Sequence, residues 1–183
     1  MKDTTTAKKP IIGFTASAFD LCHAGHALML KEAKEHCDHL IVALQDDPSD
    51  TKDLEYRLKT GGKPKNTPIM SLEERRILLE ANRYVDEIIL YKTEEDLYEL
   101  LQKLPIDVRF VGADWKGKEF TGCELPIPVF FNSRNHSYST SELRERVYKA
   151  ELTKREQAAV IAEQQKRSEA ETVPGFVPGA KTI

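Results

Sequence analysis

Phe19-Asp20-Leu21-Cys22-His23-Ala24-Gly25-His26 follows the apolar run Ile11-Ile12-Gly13-Phe14-Thr15, and the junction between them decides the fold. The run is short and apolar, as a buried strand is, and Leu28, Leu30, Ala33 and Cys37 follow at mixed helical spacing. A strand that hands over to a helix leaves unpaired N–H groups and the positive end of the helix dipole at the turn, which is a place to hold a phosphate. Gly25 permits close approach to the backbone. His23 and His26 are the candidate catalytic residues, as imidazole donors to a phosphate on which negative charge builds during transfer.

Downstream, strands and helices alternate. His39 to Leu44 reads as a buried strand, ended by Asp46-Asp47-Pro48-Ser49-Asp50. Residues 51 to 70 are rich in Lys, Gly and Pro and read as a mobile loop that carries Lys63 and Lys65. Ser71 with Glu74 forms a capping box for a helix to about Arg83. Val85 to Tyr91 is the next strand, Thr93 with Asp96 starts another helix, and Val108 to Gly112 and Ile127 to Phe131 are two more strands. Strands separated by helices require right-handed crossovers, hence an α/β fold with a doubly wound, Rossmann-like parallel sheet. In such sheets ligands sit beyond the carboxyl ends of the strands. From Ser139, with Glu142 three residues on, a further helix runs to about Glu171, mostly charged beyond Ala150, before the tail Val173-Pro174-Gly175. The expected organisation is a flexible segment over 1–10, one domain over 11–150, and a polar helical extension with a flexible tail over 151–183.

Composition narrows the function classes. The 27 basic and 30 acidic residues nearly cancel in the net charge of −3, so no global field favours nucleic acid. No apolar run is long enough to span a membrane, and Met1 to Lys9 lacks the apolar core of a signal peptide, so a cytoplasmic location is expected. Three cysteines at irregular spacing, Cys22, Cys37 and Cys123, read as reduced packing residues rather than a disulfide framework.

The pattern F-D-x-x-H-x-G-H over Phe19 to His26 resembles the first signature of the cytidylyltransferase-like nucleotidyltransferases. Class I aminoacyl-tRNA synthetases carry a related motif, but they are much longer and add a lysine-rich signature absent here. Three further stretches match the smaller family in order. Ser71-Leu72-Glu73-Glu74-Arg75-Arg76 through Arg83-Tyr84-Val85-Asp86-Glu87 resembles its E-x-R helix and R-Y-V-D-E. Val111-Gly112-Ala113-Asp114-Trp115-Lys116-Gly117-Lys118 resembles its G-x-D-W-x-G-K, and Arg134 to Thr140 occupies the place of its R-T-x-G-I-S-T. The resemblance runs from about residue 11 to 147 and is strongest to the glycerol-3-phosphate cytidylyltransferases.

That resemblance implies transfer of CMP from CTP to a phosphorylated alcohol, glycerol 3-phosphate first, with Mg2+ accompanying the triphosphate and with two chains forming a homodimer. Its small-molecule partners exclude nucleic acid and membrane; which residues hold the metal stays unknown. It also carries roles over. Ala18, Phe19, Asp20, Gly25, Asp114, Trp115, Arg134, Ser139 and Thr140 stand at nucleotide-binding positions, with Trp115 framing the cytidine pocket or merely packing. Asp47, Arg75, Arg83 and Asp86 line or brace the site, although helix-surface salt bridging is an equal reading for each arginine alone. Lys63 and Lys65 meet the acceptor phosphate, close over the triphosphate, or are simply solvated. The chain departs from the pattern at Ser17-Ala18, where the family has Gly-Thr, and at Asn135 and Ser137, where it has Thr and Gly. His136 reads as an exposed loop histidine, with an added phosphate donor as the alternative. These departures keep open adenylyl or cytidylyl transfer to a sugar phosphate or phosphoethanolamine, and an inactive nucleotide-binding module.

Overall fold

In the computed structural model, residues 8–49 and 66–171 are described, with side chains to Ser168. The segment expected to be mobile, with Lys63 and Lys65, lies mostly outside the described residues, as do the first seven residues and the tail after Glu171. The elements in order are β1 (Ile12–Ser17), α1 (Ala24–Glu35), β2 (His39–Gln45), α2 (Leu72–Glu80), β3 (Glu87–Tyr91), α3 (Glu94–Lys103), β4 (Val108–Gly112), a 3-10 turn (Ala113–Trp115), β5 (Val129–Asn132) and α4 (Thr140–Glu171). The strands form one sheet in the order β3-β2-β1-β4-β5, every pair parallel, with β1 in the middle.

The alternation of β2 explains why its sequence is apolar throughout. Leu40, Val42 and Leu44 face a cluster with Phe19, Leu30, Ala33, Leu79 and Phe110, while Ile41 and Ala43 face Phe14, Tyr91, Leu97 and Leu101. Helices α1 and α2 thus cover one face and α3 the other, which is the arrangement that buries a parallel sheet on both sides. Each fully buried leucine contributes about 2 kcal/mol of apolar transfer. Gly13 is required by this packing. A Cβ there would meet Cys37 Sγ at 2.6 Å and Phe110 Cε2 at 2.7 Å.

The two ends of the sheet differ chemically. At the amino ends, carboxylates accept the strand N–H groups that no neighbour reaches: Asp38 takes Ile11 N–H at 2.8 Å, Asp107 takes Ile12 N–H at 2.9 Å, and Asp86 takes Leu40 N–H at 2.7 Å. An anionic ligand has no place against that rim. The carboxyl end carries the histidine turn. Of the expected packing cysteines, Cys37 is buried, Cys22 is half-buried beside that turn, and Cys123 is exposed.

From Ser141 the chain forms a unit of its own. The helix there is held by intrahelical pairs four residues apart, including Glu145 with Lys149 at 2.7 Å, Glu151 with Arg155 at 2.9 Å and Glu163 with Arg167 at 2.7 Å. Among the described residues, no helix is long and apolar enough to cross a membrane.

Candidate active site

The turn after β1 is shaped by two residues in an unusual conformation. Phe19 and Leu21 have φ of 50° and 48°, a region that costs a non-glycine residue on the order of 1 kcal/mol. The Phe19 ring, 1% exposed, sits in the core cluster and holds the turn against that cost. Between them Asp20 is buried and its Oδ1 accepts the N–H groups of Ile69 (2.9 Å) and Met70 (3.0 Å). One carboxylate thereby ties the histidine turn to the entrance of α2.

The histidines start α1 as a capping box made of imidazoles. His23 is the N-cap, and its Nδ1 accepts the Gly25 N–H at 3.0 Å; His26 Nδ1 accepts the His23 N–H at 3.4 Å. A ring nitrogen that accepts carries no proton, so each neutral ring keeps its proton on Nε2. The Thr140 hydroxyl donates to the Asp20 carbonyl at 3.2 Å and lies 3.3 Å from His23 Nε2. Having spent its only proton, that hydroxyl accepts from Nε2–H, which agrees with the tautomer set by the cap. The two rings stack at 4.0 Å, and Phe19 lies 5.2 Å from His26. Burial, and then the neighbouring His23, lowers the His26 pKa to about 4 against the pull of Asp20. At neutral pH His26 is an uncharged donor.

Gly25 is needed for the rings themselves. A Cβ on it would lie 2.9 Å from His23 Cε1, 3.0 Å from His23 Nδ1 and 3.0 Å from His136 Cε1. His136 is therefore a half-buried residue packed on the turn, correcting its reading as an exposed loop histidine; the loop is folded back because both of its ends are pinned. At one end Glu32 of α1 accepts from Ser133 N–H at 2.9 Å and from Asn132 Nδ2 at 3.1 Å, and at the other Thr140 holds the Asp20 carbonyl. Sequence reasoning missed this approach because His136 and Gly25 are remote along the chain. The only local sign was a histidine within a stretch already aligned with a phosphate-binding loop.

Arg75 braces the site from beneath. It is 2% exposed, and its guanidinium donates to the carbonyls of Ala18 (2.9 Å), Gln45 (2.6 Å), Met70 (3.1 Å), Ser71 (3.3 Å) and Asp46. Helix-surface salt bridging is excluded for it; Arg76 has that role, with Glu73 at 2.8 Å and Glu80. Asp47 accepts from Ser49 N–H (2.8 Å) and Oγ (2.6 Å) just past β2, close enough to contribute to the field on Arg75. Arg83 is exposed with its guanidinium 5.0 Å from the Tyr84 ring centre, and Asp86 binds Lys34 at 2.5 Å. Asp86 precedes β3, so it braces the amino rim and is not part of the histidine site. Beyond β4, Asp114 lies 3.9 Å from Arg134, and Trp115, 38% exposed, meets Phe120 edge to face at 6.3 Å. Ala18 contributes its backbone carbonyl, and Ser139 directly precedes α4.

Comparison with known proteins supplies the family. The cytidylyltransferase-like family model matches residues 14–146. The chain is 34% identical over 133 residues to "Glycerol-3-phosphate cytidylyltransferase" of Bacillus subtilis, covering 73% of this chain and 94% of that protein. It is 37% identical over 114 residues to "Bifunctional protein HldE" of Gluconacetobacter diazotrophicus, and 37% identical over 136 residues to the same-named protein of Helicobacter pylori strain Shi470. Those matches cover 62% and 74% of this chain but only 22% and 27% of the HldE proteins. The fold is shared with a lipopolysaccharide core biosynthesis protein from Thermoplasma volcanium, at a TM-score of 0.52 and 24% identity, over 69% of this chain and 99% of that one. With the family model spanning all four motifs, this chain belongs to the cytidylyltransferase-like family of nucleotidyltransferase enzymes.

Proposed function

We propose that the chain transfers CMP from CTP to a phosphorylated alcohol, glycerol 3-phosphate first, releasing pyrophosphate. The observation that carries this reading is the imidazole capping box, which fixes His23 and His26 with their Nε2–H edges at the start of α1, that of His23 resting on the Thr140 hydroxyl. An acceptor phosphate oxygen attacks the α-phosphorus, the bond from that phosphorus to the bridging oxygen breaks, and pyrophosphate leaves with the electron pair. A phosphate monoester is already a nucleophile at neutral pH, so the protein positions the groups and stabilises charge. His23 and His26 donate to phosphate oxygens as charge grows there, and the α1 dipole adds to the same field. Ser139 and the Thr140 N–H at the start of α4 clamp the outer phosphates, while Asp114, Trp115 and Arg134 frame the base. Among the described residues no three His, Cys, Asp or Glu side chains gather as a metal cage. Mg2+ accompanying the triphosphate is part of the same proposal.

The B. subtilis relative, covered over nearly its whole length, favours CTP and glycerol 3-phosphate. Ser17-Ala18 favours the second reading, a different base with a sugar phosphate or phosphoethanolamine, because Ala18 offers no hydroxyl. Cytoplasmic location and pairing into a homodimer belong to the same proposal. An acceptor panel with CTP and ATP, read by pyrophosphate release, tests it. Turnover is expected with CTP and glycerol 3-phosphate, and His23→Ala and His26→Ala should each lose at least ~100-fold while staying folded. Better turnover with ATP selects the second reading. No pyrophosphate from any pair leaves a nucleotide-binding module, and mutants within a few-fold of wild type remove the histidines from the mechanism.

A further inference from the structure

We propose that His136 is a third imidazole of the site, whose Nδ1–H binds a phosphoryl oxygen of the triphosphate and of the leaving pyrophosphate. The inference rests on the reading of the α1 start as the triphosphate site. Its first support is position: His136 Cε1 and His23 Cε1 converge on the same point above Gly25, each at about 3 Å from where a Cβ would stand. The second is an unmet need. Nδ1, bonded to that Cε1, is closed off from solvent and has no hydrogen-bond partner among the described residues. A buried polar atom left without a partner is costly and calls for a ligand. The third is how the ring is held. It stacks on Tyr138 at 5.2 Å, on a loop pinned to α1 through Glu32 and to the histidine turn through Thr140. Packing thus fixes the ring without consuming Nδ1. Gly25 stands in the first turn of α1, where an anion finds unpaired N–H groups, and an anion accepts from N–H.

The test uses the full chain and inorganic pyrophosphate, then CTP with magnesium, in calorimetric binding without acceptor. His136→Phe keeps a ring on Gly25 and removes both nitrogens; His136→Asn returns a short polar group near the Nδ1 position. We expect His136→Phe to weaken pyrophosphate and CTP at least ~10-fold, and His136→Asn to recover most of that. In the wild type, the His136 Nδ1 nitrogen resonance should move on pyrophosphate addition, a readout that stands even if His136→Phe does not fold. Binding by a folded His136→Phe equal to wild type, or an unmoved resonance at saturating pyrophosphate, overturns the inference. Neither readout needs turnover, so failure of every acceptor would sink the proposed reaction and leave the anion contact standing.

Discussion

His23 and His26 each use Nδ1 to start a helix and keep the proton on Nε2, so structure and reactivity meet in single side chains. The depressed pKa of His26 makes that coupling measurable. An unfolded histidine takes up a proton near 6.5, whereas His26 in the fold resists until about 4. Between those values the unfolded state binds more protons, so stability rises with pH across the window and is level above it, by a limit on the order of 3 kcal/mol. Urea midpoints taken from about pH 7.5 down to about 4.5 should show this slope in the wild type and a shallower one in His26→Asn. Identical slopes would mean that His26 is not held neutral. The pair was legible in the sequence because a cap is local, its partners two and three residues apart. His136 was not, since its approach to Gly25 depends on Glu32 and Thr140 pinning a loop from both ends.

Among the elements, α2 shows how a correct boundary can hide a side chain's role. Its capping box was readable, with Ser71 Oγ accepting from Glu74 N–H at 3.2 Å, but the E-x-R pattern fits an exposed ion-paired face as well as a buried brace. Adjacent arginines take those two fates, because only Arg75 points at carbonyls from β1's turn and the end of β2. Strand polarity settles Asp86 in the same way: a residue just before a parallel strand belongs to the end opposite the ligand. Replacing Arg75 should be felt throughout. Arg75→Lys removes the planar fork and leaves buried carbonyls unmet, an expected loss of about 2–4 kcal/mol by urea unfolding. A loss under about 0.5 kcal/mol would show that water replaces the guanidinium without difficulty.

For the whole molecule, the parallel sheet and its both-face burial followed from apolar runs alternating with capped helices; the strand order did not, because crossovers leave no local trace. Every motif lies before residue 141, where the second unit begins. A chain ended after Ala150 should lose only the helical signal of the removed part of α4, still unfold cooperatively on heating, and bind CTP within about 3-fold of the full chain. A folded truncation, still dimer-sized by light scattering, that makes no product would assign the α4 extension a role in the reaction. The bonds that close the histidine turn reach far along the chain: Arg75 to Ala18 over 57 residues, and Thr140 to Asp20 over 120. Contacts so remote form late, since the entropy of closing their loops must be met first. A ribosome must therefore release residue 140 before the turn near the beginning can be completed. Half-made chains would carry the nucleotide motif without its clasp, and competence would arrive in a single late step rather than growing with length.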